Sequence, residues 1–317
     1  MRRLVIFALL VSVLFSAWSF PTRPITLVVG FPAGSAPDIA ARLLARKLSQ
    51  RLGQSVVVDN KPGAAGTIAA AGVARAEPDG HTLLLALASA NTLGPALYKN
   101  VRFDPNTSFA PIGQMVRGAF ILSARSDLPV SDLKGLLAYA KKNPGQLAYG
   151  SSGNGSLHHL CMEMLKTATG IDVRHIPYKG STANWQAMST GEVDLTCDSM
   201  TNSTPALQAG RVRPLAVTGE ARMESLPRVP TFREQGLPQV NVEFWYGLMA
   251  PALTPGAAVT ALHAAMAAAV QDPEFVAYFR NQGIDIALSG PDDFARLIRR
   301  EFGTYSELVQ RVGAKID

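Results

Sequence analysis

The chain has 317 residues, with 30 Lys and Arg against 24 Asp and Glu, a formal net charge of +6 and an apolar fraction of 47 %. Setting aside Arg2 and Arg3 in the leader lowers that charge to +4, too mild and too scattered to argue for a nucleic-acid partner. The length exceeds a comfortable single core, so two lobes are expected, and no low-complexity linker divides them.

Arg2 and Arg3 precede an apolar run over residues 4–15, followed by Ser16-Ala17-Trp18-Ser19. A short basic start, about a dozen apolar residues and small residues at 17 and 19 describe a secretory signal peptide over residues 1–19, cleaved after about Ser19. The run is shorter than the ~20 residues that span a bilayer. No Cys stands near the cleavage point, so a lipid anchor is not expected. The mature chain reads as soluble and exported.

The first half has a βαβ cadence. Residues 25–29 form an expected strand. The turn Phe31-Pro32-Ala33-Gly34-Ser35-Ala36-Pro37-Asp38 follows, with Asp38 read as the acidic N-cap of a helix. That helix carries Ile39, Leu43, Leu44, Leu48 and Leu52 at helical spacing, and Gly53 ends it as a left-handed residue. Further strands are expected at 56–58 and 82–87, with an Ala-rich helix around 67–76 between them. Residues 112–116 and 119–122 are apolar runs by which the chain passes into a second lobe.

The second half repeats the order. A strand at 147–149 meets the turn Ser151-Ser152-Gly153-Asn154-Gly155-Ser156, then a helix over about 156–168 closed by Gly170. A short strand at 173–175, the turn Pro177-Tyr178-Lys179-Gly180, a helix near 183–189 and a strand at 193–197 follow. Gly53 and Gly170 stand 117 residues apart, as do Gly63 and Gly180. A shared offset across several elements marks an internal repeat, each lobe being a small doubly wound α/β unit. Residues 215–219 are expected to be the last strand of the second lobe, and residues 243–250 to return to the first. The divisions read as 20–121, 122–225 and 226–317. The final helix, over about 292–312, puts Phe294, Leu297, Ile298, Phe302, Tyr305, Leu308 and Val309 on one face and is expected to pack on the first lobe.

Ligands of open α/β sheets sit beyond the carboxyl ends of the strands. The turns there are 31–38, 88–92, 151–156, 178–182 and 198–201, rich in Gly, Ser, Thr and Asn and poor in acid–base groups. Helix starts with free N–H groups hold anions. The candidate binding residues are therefore Phe31, Gly34, Ser35, Ala36 and Asp38 in the first turn, and Ser89 after the third strand. Ser152, Asn154, Gly155 and Ser156 are the candidates in the matching turn, with Lys179, Gly180 and Asp198 at the later strand ends. Gly34 and Gly155 admit close backbone approach, Ser35, Ser152 and Ser156 add hydroxyls, and Asp38 is either a cap alone or a cap that also accepts from a ligand amine or water. Two such turns suggest gripping a small anion rather than reacting with it.

Enzyme signatures are missing from the sequence. Gly150-Ser151-Ser152-Gly153-Asn154 has the wrong spacing for a nucleophile elbow, no Walker A sequence occurs, and Gly153-Asn154-Gly155 lacks the third glycine of a dinucleotide fingerprint. His158, His159, Cys161 and Glu163 cluster without matching a zinc spacing; no catalytic residue, metal or cofactor is expected. Export permits a disulfide between Cys161 and Cys197, while two buried free thiols are the reading favoured from their apolar surroundings.

Several runs carry a resemblance: Phe31-Pro32-Ala33-Gly34 with Asp38, Asn60-Lys61-Pro62-Gly63-Ala64, Pro78-Asp79-Gly80-His81-Thr82, Gly153-Asn154-Gly155-Ser156, His175-Ile176-Pro177-Tyr178-Lys179-Gly180 and Leu215-Ala216-Val217-Thr218-Gly219. With them the chain, over residues 21–317, resembles the Bug family, the extracytoplasmic solute receptors of tripartite tricarboxylate transporters. The resemblance implies an α/β, type II-like, two-lobed periplasmic binding protein with the ligand cleft between lobes. It also implies a small carboxylate ligand, membrane transporter subunits as partners, a monomer, and turns 31–38 and 151–156 as the pinching elements. A ligand-sensing receptor that presents its carboxylate to a signalling protein is the alternative. The chain departs from the family pattern at Ser35, Ala36 and Pro37, and at His158, where a small residue is usual.

Overall fold

The computed structural model describes residues 20–312; the signal-peptide expectation falls on residues 1–19 and lies outside the described residues. Strand β1 (Ile25–Val29) leads into helix α1 (Ala36–Leu52), then β2 (Val56–Asn60), α2 (Thr67–Val73) and β3 (Thr82–Leu87). β1 pairs parallel with both β2 and β3. Its run is apolar apart from Thr26 because both faces are covered. Ile25, Leu27 and Val29 bury against Leu44 and Leu48 of α1, and Val28 faces Ala69, Ala70 and Val73 of α2.

After β3 the chain makes a wide turn over Ser89–Leu93 and a short helix α3 (Gly94–Leu97), then enters β4 (Phe109–Arg125). The two apolar runs expected to cross between lobes are one strand of 17 residues. Its first half pairs with β9 (Glu243–Pro251) and its second with β7 (Leu195–Ser199) and β8 (Val212–Val217), all antiparallel. β9 closes back on β3 of the first lobe. Among the described residues the strand path runs β2-β1-β3-β9-β4-β7, continuing to β5 (Ala148–Ser151) and β6 (Arg174–Pro177). Two lobes thus share one long strand rather than hanging on a loop.

The second lobe repeats the first. β5 pairs parallel with β6 and β7 as β1 does with β2 and β3. Helix α4 (Leu133–Lys142) precedes β5, α5 (Leu157–Thr169) follows it, and α6 (Ser181–Thr190) and α7 (Met200–Gln208) follow β6 and β7. Gly53 at φ +66° and Gly170 at φ +69° end α1 and α5 in the same left-handed conformation, so the offset of 117 residues is structural as well as sequential. Helices α8 (Gly256–Val270) and α9 (Pro273–Arg280), strand β10 (Asp285–Ile286) and helix α10 (Pro291–Val312) complete the chain.

Four expectations are corrected. Helix α1 starts at Ala36 with Ser35 as its N-cap, so Asp38 lies inside the first turn. Pro37 at the second helical position explains this, since proline tolerates the first turn and not the interior. Ile39, placed on the buried stripe, is 43 % exposed, and the stripe is carried by Ala40, Ala41, Leu43, Leu44, Ala45 and Leu48. Cys161 and Cys197 are not free thiols but a disulfide joining α5 to β7, Cα atoms 6.3 Å apart. Helix α10 does pack along β4 and α3, but it also meets α5 of the second lobe, strapping the two together.

Candidate functional site

The first-lobe turn is held by Asp38. This buried carboxylate accepts from the Gly34 N–H at 2.9 Å, Arg42 Nε at 3.0 Å and Asn60 Nδ2 at 2.9 Å. Burial alone would raise its pKa, but these donors outweigh it and keep Asp38 below the usual carboxylate range. Asn60 Nδ2 also donates to the Phe31 carbonyl at 3.0 Å, so strand β2 fastens the turn after β1. The Ser35 hydroxyl donates to the Pro32 carbonyl at 2.6 Å. The Gly34 N–H and the Asp38 carboxylate are therefore spent inside the turn. With Pro37 carrying no N–H, the N–H groups of Ala36 and Asp38 are the ones that helix geometry leaves without an intrahelical acceptor.

The second-lobe turn is built the same way with different groups. Ser156 is the N-cap of α5; its hydroxyl donates to Gly153 O at 2.8 Å and accepts from the His159 N–H at 3.3 Å. The Gly155 N–H donates to His159 Nδ1 at 3.0 Å. Gly155 is thus not a free donor, and its bare α-carbon faces Leu97 of α3: a methyl there would lie 2.4 Å from a Leu97 methyl. The first lobe rests on that glycine. Gly34, at φ +80°, has open space around the corresponding point. The helix start leaves the N–H groups of Leu157 and His158.

Behind the turn, His159 and His175 stack with ring centroids 4.1 Å apart, and Tyr149 stacks on His175 at 4.7 Å. Burial depresses both imidazoles, His175 to about 4, so the stack is neutral near neutral pH. Glu163, grouped with His158, His159 and Cys161 in the sequence, accepts instead from Tyr149 Oη at 2.6 Å and Lys166 Nζ at 2.7 Å.

The strongest cluster is one that sequence reasoning did not assemble. His158 Nδ1 lies 2.6 Å from Ser152 Oγ, and His158 Nε2 lies 2.8 Å from Asp198 Oδ1 and 3.3 Å from Ser181 Oγ. Asp198 is fully buried and also accepts from Trp185 Nε1 at 2.9 Å, Asn202 Nδ2 at 2.9 Å and the Ser199 N–H at 2.7 Å. Burial pushes its pKa up, but His158, Asn202 and the Ser199 N–H overcome this and hold it low. The sequence separation of 40 between His158 and Asp198 explains why spacing gave no signal; the one available was that His158 departs from the family pattern.

Of the remaining expected residues, Asn154 and Lys179 are exposed, Gly180 sits at φ +95° as the N-cap of α6, and Ser89 is half-buried at the start of the turn after β3. A cavity of about 560 Å³ between α6 and α7 shares Trp185 and Asn202 with the Asp198 cluster. Another of about 670 Å³ lies over the crossing strands, lined by Arg117, Glu243, Trp245, Arg300 and Glu301. Neither is lined by a residue of the turns 31–38 and 151–156. No group of three or more His, Cys, Asp and Glu able to hold a metal ion occurs among the described residues, and none of their helices is long and apolar enough to cross a membrane.

The family described as the tripartite tricarboxylate transporter family receptor has a model that matches residues 40–314. Protein BugT of Bordetella pertussis is 32 % identical over 302 residues, covering 95 % of this chain and 93 % of BugT. Among solved structures, periplasmic binding protein BugD is 37 % identical with a TM-score of 0.73, over 93 % of this chain and 99 % of BugD. Rpa4515 of R. palustris, solved with adipate, is 36 % identical with a TM-score of 0.77, over 94 % of this chain and all of that one. MatC from Rhodopseudomonas palustris, solved with bound malate, is 32 % identical with a TM-score of 0.73, over 92 % of this chain and all of MatC.

Proposed function

The chain belongs to the tripartite tricarboxylate transporter receptor family, and from that premise we propose that it captures a small organic carboxylate between its lobes and hands it to the membrane subunits of such a transporter. The observation that carries this reading is the pair of matched strand–turn–helix units, β1–α1 and β5–α5. Each is stapled by its own side chains so that N–H groups at the helix start stay unspent. Hydrogen bonds to a charged partner contribute about 1.5–3 kcal/mol each. Four, with two helix dipoles, reach the ~8 kcal/mol of micromolar binding after ordering costs.

Adipate in Rpa4515 and malate in MatC support a dicarboxylate of roughly four to six carbons as the ligand class. The ligand-contacting residues we assign are Ala36 and Asp38 through their N–H groups, Ser152 through its hydroxyl, and Leu157 and His158 through N–H groups; Ser35, whose hydroxyl hydrogen goes to the Pro32 carbonyl, is not among them. The mature protein acts in the periplasm as a monomer after cleavage near Ser19. A sensory role in which the loaded receptor meets a signalling protein uses the same site.

A thermal-shift screen of the mature chain against dicarboxylates, tricarboxylates, acidic amino acids and aromatic acids tests the assignment, since a ligand that binds only the folded state raises Tm. Stabilisation by one or a few carboxylates is expected; a response confined to neutral sugars or metals would sink it. The Ser152–His158–Asp198 chain is the one arrangement that favours a hydrolytic reading. Sustained release of nitrophenol from p-nitrophenyl acetate, lost in Ser152→Ala, would replace the receptor reading; none is expected.

A further inference from the structure

We propose that His158 makes carboxylate capture proton-linked, by switching the Ser152 hydroxyl between acceptor and donor at the second-lobe turn. The inference rests on the carboxylate-receptor reading and adds the residue that selects the ligand's charge state.

The argument is one of counting hydrogens. Asp198 is fully buried and its carboxylate accepts from Trp185, Asn202 and the Ser199 N–H as well as from His158. An ionised carboxylate only accepts, so His158 Nε2, at 2.8 Å, carries the hydrogen between them. In a neutral imidazole the other nitrogen is then a bare acceptor. Ser152 Oγ lies 2.6 Å from that Nδ1, and the hydroxyl hydrogen must point at it. Ser152 then offers the cleft lone pairs alone, which repel a carboxylate. Once His158 is protonated, Nδ1–H donates to Ser152 Oγ, and the single hydroxyl hydrogen is released to donate outward. A ligand carboxylate pairs with the second state only.

The groups around the ring support one clean switch. Among the described residues, the charged side chain in contact with the His158 ring is Asp198. From β4, Phe120 meets the ring edge-on at 5.2 Å. From α6, Ser181 Oγ approaches Nε2 at 3.3 Å. Lys179 on the preceding turn is exposed. On its own helix, the adjacent His159 turns away into the stack with His175 and Tyr149, both imidazoles lowered by burial. The disulfide also bears on the switch, since Cys161 is one turn beyond His158 and Cys197 precedes Asp198. The covalent link therefore fixes the spacing of the pair on which the switch depends.

The test is calorimetric titration of the mature protein with malate and with adipate between about pH 5 and about pH 8, the span in which an imidazole changes charge, in two buffers of different ionisation enthalpy. Binding is expected to take up close to one proton in the upper part of that span, and affinity to fall about tenfold per pH unit there. Ser152→Ala and His158→Gln, each checked for folding by circular dichroism, should bind more weakly at the low end and show flat pH profiles. Carboxylate binding by the wild type with no proton uptake and no pH slope would overturn the switch and leave the receptor reading standing. Retention of the full slope in Ser152→Ala would also overturn it. Failure of every carboxylate to bind at any pH would remove both.

Discussion

Trp245 Nε1 donates to Glu301 Oε2 at 2.7 Å, tying the C-terminal helix α10 to the crossing strand β9. Thr92 Oγ1, in the turn after β3, lies 3.1 Å from the same oxygen and 2.8 Å from the Ala88 carbonyl. One hydroxyl hydrogen cannot serve both fully, so Thr92 is at best a shared donor to Glu301. Burial raises the Glu301 pKa to about 7 against the lowering by the Trp245 and Thr92 donors.

The sign of the resulting pH dependence follows from linkage. A carboxyl that binds its proton more tightly when folded stabilises the fold fully below its unfolded value near 4.5 and loses that contribution as pH rises to about 7. Glu301→Gln keeps an acceptor for Trp245 and never ionises. The variant should match the wild type within about 1 kcal/mol near pH 4.5 and exceed it by about 2–3 kcal/mol near pH 8, by urea midpoints at the two pH values. Equal midpoints at the higher pH would mean that Glu301 is ionised without cost.

The Cys161–Cys197 link closes a loop of sequence separation 36 between two elements of the second lobe. On the chain-entropy account, removing such a loop closure costs about 3–4 kcal/mol. Cys161→Ala with Cys197→Ala should lower the guanidinium midpoint accordingly, and reduction of the native chain should lower it similarly. It should also weaken carboxylate binding, because α5 and β7 carry His158 and Asp198. An unchanged ligand affinity in the double variant would confine the disulfide to stability.

Much of this fold was legible because its signals are local. Gly53 and Gly170 read as left-handed helix ends, and they are; residues 112–116 and 119–122 read as crossing segments, and they are one strand. The inner parallel strands β1, β3, β5 and β7 are the runs buried on both faces. What was not legible depends on distance in sequence or on which hydrogen goes where. Nothing in the spacing brings Asp198 to His158, nor fixes Cys161 to Cys197 in preference to two buried thiols. The turns themselves were located, but the N–H groups of Gly34 and Gly155 are consumed by Asp38 and His159, so the unspent donors lie further on, in the first turn of each helix. Ile39 keeps the helical period yet is exposed.

The two turn glycines should behave differently when substituted. Gly34→Ala meets open space and bears only the strain of a positive φ, about 1–3 kcal/mol. Gly155→Ala adds a methyl against Leu97, for a further cost of about 1–3 kcal/mol. Leu97→Ala should relieve that second part, so a double-mutant cycle should show a coupling of about 1 kcal/mol or more between positions 97 and 155 and none between 97 and 34. Additivity in both cycles would mean that the lobes do not bear on each other at Gly155.

Asp38 decides whether the first-lobe turn survives in acid. Its pKa is lowered on folding, since its bonds to Arg42, the Gly34 N–H and Asn60 outweigh the burial that would raise it. Ionised Asp38 therefore stabilises the fold above about pH 4, and the contribution is lost as pH falls through the lowered folded value. Arg42 is 54 % exposed, so the ion pair itself contributes little; the Gly34 and Asn60 donors carry the effect. Asp38→Asn presents a second amide to groups that are all donors, leaving at least one unsatisfied at a cost of about 1–3 kcal/mol. Its melting temperature should fall at neutral pH and decline less steeply than the wild type's between about pH 5 and about pH 3. Because Asp38 fastens the turn and Ala36 and Asp38 supply its N–H groups, carboxylate affinity should fall with it. A variant that melts lower yet binds unchanged would show that the turn is held by Ser35 and Asn60 alone.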